Sequence, residues 1–412
     1  MSVDDAARRM SDRLERRKKV SERRLEEATD DLTGAFRMED DADTGSSGRS
    51  PAPPVSEKRA PVQAQAASPE RLTDGAGEPL TILHLSDLHL ETVEQARIYR
   101  TQLETDLIRE LGVERLDYVV ISGDIANRAE ATDYEAADHF VGRLMRTFHL
   151  DAGRVIAVPG NHDVNWERSK QSYGFVFSER LPNPLPADRA IPAGESGALL
   201  RDDARYRDRF AVFGEEFHAR LYSGQRYPPD YDRQVQLVKD HADRVLFLGL
   251  NSCWQVDHHF TRRAGIHMPA LSRALDSLQR EALDGWLKVA IWHHPVSGKE
   301  MMDEEFLELL EAHGFHLCMH GHIHEAIEVF HKYDERRGLY IVGAGAFGAP
   351  TKENPESSIP LQYNLLAYDP ARREVVVHTR RKEKPNGSWS ADARWGDRHA
   401  PVPWYRIQLR PS

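Results

Sequence analysis

Leu83-His84-Leu85-Ser86-Asp87-Leu88-His89-Leu90 is an apolar run that ends in an Asp-x-His pair. A short apolar run of this kind reads as a buried strand. Carboxylate and imidazole are metal-type ligands, so the strand delivers two of them at its C-terminal tip. Alone the pair says little, but later stretches repeat the design with complementary ligands. They are Ser122-Gly123-Asp124, Pro159-Gly160-Asn161-His162-Asp163, Trp292-His293-His294-Pro295 and His320-Gly321-His322-Ile323-His324. Taken together and in this order, they have the makings of a two-metal hydrolytic site.

The segments around these stretches predict how they are held. Leu80–Ser86, Leu116–Ser122 and Arg154–Val158 read as strands, and Val93–Leu111 and Tyr134–Phe148 have helical spacing. Strand, helix, strand, helix, strand within ~80 residues implies right-handed βαβ units and a mainly parallel sheet. Ligands of such sheets gather at the carboxyl ends of strands, where Asp87, His89, Asp124 and Asn161 fall. Further along, Val235–Val238, Val245–Asn251, Lys288–Trp292, Phe315–Met319, Leu339–Val342, Tyr363–Tyr368 and Glu374–Thr379 read as strands, in a second sheet of mixed direction. Helices are expected at Leu199–Tyr222, Ala270–Leu287 and Glu304–His313, and Tyr405–Leu409 as an edge strand.

Composition divides the 412 residues into four parts. Residues 1–38 read as one charged helix with acid-to-base pairs at i,i+4 such as Asp12/Arg16 and Glu15/Lys19. Its apolar stripe is thin, which suits a solvated helix, or one that docks a partner protein or a second subunit. Residues 39–78, with Pro51, Pro53, Pro54, Pro61 and Pro69, form a Pro/Ala/Ser-rich disordered linker. Residues 79–380 are the catalytic domain, in which 165–233 is a capping insertion, and 381–412 is a C-terminal extension packing on it. The formal charge of −11 argues against a dominant sequence-independent nucleic-acid binder. Two distant cysteines, Cys253 and Cys318, no membrane-length apolar run and a charged N-terminus place the chain in the cytoplasm by expectation.

Phosphoester hydrolysis can use two divalent cations ~3.5–4 Å apart, which needs a bridging carboxylate with neutral nitrogen and oxygen ligands on either side. Mn, Fe and Zn suit such donors, and no cysteine lies among the motifs to suggest a structural zinc site. Asp87-x-His89, Gly123-Asp124, Gly160-Asn161-His162-Asp163, His293-His294-Pro295 and Gly321-His322-x-His324 resemble, motif by motif and in order, the calcineurin-like metallophosphoesterase family. The resemblance spans roughly residues 80 to 379 and implies a four-layer α/β/β/α sandwich with two divalent metal ions, Mn or Fe foremost and Zn admissible. It implies that Asp87, His89 and His324 hold one metal, that Asp124 bridges, and that Asn161, His293 and His322 hold the other. His162 would stabilise the phosphate and protonate the leaving oxygen, with Asp163 orienting His162, while a metal-bridging hydroxide near Asp124 attacks phosphorus in line.

Around this set, Asn127, His294, His267, Arg262 and Arg263 are candidates for substrate contact or support. His84 reads as structural. Gly123-Asp124-Ile125-Ala126-Asn127 with Tyr134, Ala137 and Phe140 looks most like the bacterial cyclic-nucleotide phosphodiesterase branch. The expected substrate is therefore a cyclic or other small nucleotide or phosphodiester, with no membrane partner. One alternative is a DNA or RNA nuclease of the same family, although Leu88 stands where those enzymes usually carry Trp and the C-terminal region is short. Another is a catalytically silent nucleotide-binding scaffold, against which the complete ligand set speaks.

Overall fold

The computed structural model describes residues 79–298, 301–323, 327–332, 338–348 and 360–410. The helix expected in 1–38, the linker 39–78 and the ligand candidate His324 lie outside these residues. Strands β1 (Leu80–Leu85), β2 (Tyr118–Ser122) and β3 (Val155–Val158) are almost wholly buried and pair in parallel, with Ile82 opposite Tyr118 and Val119 opposite Val155. Burial on both faces explains why they read as continuous apolar runs. On the other side of β1, β13 (Leu361–Asp369) and then β14 (Glu374–Lys382) continue the sheet antiparallel. β14 also receives Ser390–Ala391 and Trp404–Gln408.

A second sheet runs β11 (Ile327–Lys332), β12 (Gly338–Gly343), β10 (Leu317–His320), β9 (Leu287–Ile291), β8 (Val245–Leu250), β7 (Val235–Asp240), in that spatial order. Its outer strands β11 and β7 are antiparallel to their neighbours and the inner ones parallel, so it is mixed. Side-chain alternation then fixes the layers. Leu80 and Ile82 of β1 face the second sheet, in one core with Phe247, Val289 and Leu317. Leu83 and Leu85 face the opposite way, in a core with Leu103 of α1 (Val93–Thr105) and Phe140 of α2 (Ala131–Thr147). Leu246, Leu248 and Ala290 cover the far side of the second sheet with Leu271 and Leu307 from later helices. Helix, sheet, sheet, helix is the resulting order.

Two helix expectations need correcting. The helix expected from Leu199 starts at Asp203, because β6 (Gly197–Arg201) is a strand between β4 (Tyr173–Phe177) and β5 (Ala190–Pro192) in a three-stranded antiparallel sheet. The Asp202 carboxylate accepts from the Ala204 and Arg205 N–H groups, which fixes that start. The second helix covers only Met268–Leu278, not Ala270–Leu287. Its chain leaves in a turn, Glu281 N–H to Leu278 O at 3.1 Å, that sends Leu283 and Trp286 into the core beside Leu246 and Ala290. Among the described residues, no helix is long and apolar enough to cross a membrane.

One buried polar knot ties the segment that continues α1, Asp106–Glu110, to the C-terminal strands. Arg380 Nε donates to Asp106 Oδ2 at 2.8 Å and Arg380 Nη2 to Oδ1 at 2.5 Å, while the Tyr363 hydroxyl donates to Oδ2 at 2.5 Å. Removing one member of a buried pair strands the other charge. Asp106→Ala is therefore expected to cost about 3–5 kcal/mol in urea unfolding. A loss under about 1 kcal/mol would show that the knot is not structural.

Candidate metal centre

The loops leaving β1 and β2 travel together past the sheet edge. Asp87 N–H donates to Gly123 O at 3.0 Å, His89 N–H to Asp124 O at 3.1 Å and Leu90 N–H to Ile125 O at 3.1 Å. Asp87, His89, Asp124 and His322 all hold left-handed backbone, with φ of 53°, 45°, 52° and 63°. Each such residue stores on the order of 1–3 kcal/mol of strain, which gathers where side chains must be aimed. Two glycines permit the crowding. A Cβ on Gly160 would stand 2.1 Å from Asp124 Oδ1, and one on Gly123, at φ +100°, would stand 2.4 Å from His293 Nδ1.

The carboxylate of Asp124, 2% exposed, is the meeting point. Its Oδ1 accepts the His162 backbone N–H at 2.7 Å, and its Oδ2 lies 3.3 Å from His293 Nε2. His293 Nδ1 lies 2.7 Å from the Ser122 carbonyl, which can only accept, so Nδ1 carries the proton and Nε2 presents a lone pair. Asn161 Oδ1 at 3.1 Å and His322 Nδ1 at 3.2 Å crowd that same nitrogen. Oxygen lone pairs from Asp124 and Asn161 converge on that nitrogen, an arrangement that calls for a positive centre, a proton or a metal cation, between them. On the other side, Asp87 Oδ1 lies 3.9 Å from His89 Nε2, and Asp87 Oδ2 accepts from Ser86 Oγ at 2.5 Å and from His322 N–H at 3.0 Å.

Three groups, Asp87/Asp124/His293, His89/Asp124/His162 and His293/His294/His322, each bring their ligand atoms within 4.8 Å of one another. Overlapping at Asp124 and His293, these groups make a dinuclear metal-binding site whose nitrogen and carboxylate donors fit divalent cations. The charges agree with this chemistry. Burial opposes ionisation of Asp124, yet His293 and His162 hold its carboxyl well below the usual range. Burial likewise works against a charged His293, but Asp124 overrides it and lifts the imidazole to about 9. A cation would occupy the place of that proton.

Asp163 behaves differently from the expectation that it orients His162. Its carboxylate accepts from the Gly160, Ile125 and Ala126 N–H groups at 2.9–3.1 Å and from the Tyr134 hydroxyl at 3.0 Å. It pins the Asp124 loop to the Asn161-His162 loop, although burial and then Asp124 raise its pKa to about 6. The ring of His162 is held by Asn127, whose carbonyl lies 2.7 Å from Nδ1, while the Asn127 amide donates to Glu91 at 2.5 Å. His294 lies against Ser252 and His322. His84, fully buried, bonds Ser122 Oγ at 3.0 Å, as a structural residue should.

The outer candidates are not gathered here. Arg263 donates to the Asp188 and Ala187 carbonyls at 2.7 and 3.1 Å and stacks over Phe260, so it clamps the insertion loop rather than a phosphate. His267 pairs with Asp232 at 3.4 Å and packs on Trp254, and Arg262 is exposed. Sequence reasoning passed over Ser86, Ser122 and Ser252 as supports. For Ser86 and Ser122 the available signal was their place at strand tips just before Asp87 and Asp124; Ser252 follows a strand that carries no ligand. Gly160→Ala is expected to weaken Mn binding about ten- to a hundredfold by calorimetry and to lower unfolding stability as well, because the added Cβ meets the Asp124 backbone. Unaltered affinity would mean that the close approach of Gly160 and Asp124 does not shape the site.

Comparison with known proteins agrees with this centre. Residues 80–326 match the family model described as calcineurin-like phosphoesterase. A relative from Bacillus subtilis (strain 168), an uncharacterized metallophosphoesterase-like protein YydB, is 22% identical over 250 residues, 59% of this chain and 48% of that one. The chain thus spans about half the length of this curated relative. Among solved structures, the purple acid phosphatase PPD1 of yellow lupin (Lupinus luteus) matches at TM-score 0.45 and 11% identity, over 81% of this chain and 54% of that chain. PhoD matches at TM-score 0.49 and 10% identity, over 81% and 70%. The family match covers more than half of the sequence and contains the motifs that converge on Asp124, so the chain belongs to the calcineurin-like phosphoesterase family.

Proposed function

We propose that the chain is a phosphodiesterase acting on cyclic or other small nucleotides, or on similar diesters. The observation that carries this reading is the convergence on Asp124 of ligands from both sheets, with His162 placed beside His89 and Asp124. In this reading Asp87, His89 and His324 would hold one divalent ion, Asn161, His293 and His322 would hold the other, and Asp124 would contribute to both. When bound, such ions polarise phosphoryl oxygens and make a water nucleophilic at neutral pH. Asp124 keeps the two ligand groups together. His162, whose Nδ1–H is locked on the Asn127 carbonyl, gives the leaving oxygen a proton from Nε2 in its imidazolium form and is left as the neutral Nδ1–H tautomer. Asp163 fixes the two loops that set this geometry. The insertion 165–233 serves as a cap, and the segment 1–38 as a tethered docking element for a partner or a second subunit.

The acidic balance of the chain and of a neighbouring cavity speaks against a polynucleotide track. A cavity of about 750 Å³ opens beside Ala129 and Asn165, adjoining the loop that carries Asn127. It is lined by five carboxylates (Glu130, Glu167, Asp208, Glu215, Glu216) against two guanidiniums, Arg168 and Arg205. A polynucleotide track needs the opposite balance.

With Mn, the protein is expected to hydrolyse a chromogenic phosphodiester and a cyclic nucleotide but not labelled single-stranded or duplex nucleic acid. Asp124→Asn should reduce the rate about a thousandfold and His162→Ala about a hundredfold or more, with the fold intact. An inactive wild type, or an Asp124→Asn variant as active as it, would contradict the reading. Cleavage of nucleic acid in preference to nucleotides would transfer it to the nuclease alternative.

A further inference from the structure

His293 and His294 are adjacent in sequence, are both buried at the site, and are held by opposite kinds of partner. His293 Nδ1 faces a carbonyl and must donate. His294 Nδ1 faces Ser252 Oγ at 3.0 Å, and that hydroxyl has prior commitments. Ser252 Oγ, fully buried, accepts the backbone N–H groups of His293 at 3.3 Å and His294 at 3.2 Å. A hydroxyl has two acceptor lone pairs and one proton. Both lone pairs are taken, so the proton goes to His294 Nδ1. Cys253 Sγ, the other neighbour of Nδ1 at 3.8 Å, lies 3.6 Å from the Pro159 carbonyl and has no claim on a proton from Nδ1.

An imidazole that accepts at Nδ1 carries its hydrogen on Nε2. By ring geometry Nε2 points away from Ser252, and the His294 ring lies 4.6 Å from that of His322. We infer that His294 is not a third imidazole ligand of the metal held by His293 and His322 but an Nε2–H donor to the phosphoryl group bound there. The inference rests on the dimetal phosphoesterase reading above. Ser252 is the positioning residue, since it sets the tautomer without touching substrate. A donor aimed at the anionic oxygens strengthens as charge builds there, whereas a third nitrogen ligand would fill a position that substrate needs.

Mn calorimetry, binding of inorganic phosphate to the Mn-loaded protein, kcat/KM on a chromogenic diester, and the ¹⁵N spectrum of labelled histidine test this together. His294→Ala should bind two Mn with affinity within about threefold of wild type. Its phosphate affinity and kcat/KM should fall about ten- to a hundredfold, the weight of one hydrogen bond to a charged group. His294→Gln, which keeps an amide N–H, should recover part of that loss. In the wild type, His294 should show a bare Nδ1 and a protonated Nε2, and Ser252→Ala should alter that signal. Loss of one Mn equivalent in His294→Ala, or unchanged phosphate binding and kcat/KM, would overturn the inference. His293→Ala separates the two claims: it should lose Mn regardless of the role of His294. If it binds Mn like wild type, the dimetal reading fails on its own account.

Discussion

Asp124 Oδ2 and His293 Nε2 lie 3.3 Å apart, and they belong to different sheets. Asp124 follows β2 and His293 follows β9, so the site exists only if the carboxyl ends of the two sheets are held at contact distance. Two further ties hold them there: His293 bonds the Ser122 carbonyl, and the His322 N–H donates to Asp87. Within the second sheet, Ser252 gathers the His293-His294 backbone. The inter-sheet core around Ile82, Val120, Val289 and Leu317 sets the spacing beneath these ties. A side chain at Gly123 or Gly160 would force them apart.

The cost of this arrangement is visible in the backbone and in buried charge. Four ligand-bearing positions adopt left-handed φ, and Asp163 is ionisable, fully buried and beside another carboxylate. Defined partners offset much of this cost: three N–H groups and a phenol for Asp163, a carbonyl for the Nδ1 of His162 and of His293. Polar networks of this kind specify geometry when fully satisfied. Catalysis by charge stabilisation asks for donors and ligands aimed before substrate arrives.

Much of this was legible in the sequence because ligand chemistry and strand tips coincide. Buried parallel strands read as apolar runs, and the residues that end them, Asp87-x-His89, Asp124, Asn161-His162 and His293, could be placed without a structure. The second-tier contacts could not. That Asp163 serves three amides and Tyr134, and that His162 leans on a backbone carbonyl, depend on loop paths that residue identity does not encode. Arg263 stood among the candidates for substrate contact or support because a guanidinium suits either a phosphate or a carbonyl, and only tertiary contact decides between them. The strand at Gly197–Arg201 escaped because Gly197-Ala198-Leu199-Leu200 lacks β-branched residues, while the following segment has strong helical character.

The central claim, a dinuclear metal centre built around Asp124, is tested most directly by anomalous diffraction from crystals grown with Mn. Two peaks about 3.5–4 Å apart, one on each side of the Asp124 carboxylate, are the result this account requires. A single peak, or ordered Mn elsewhere with none at Asp124, would contradict it.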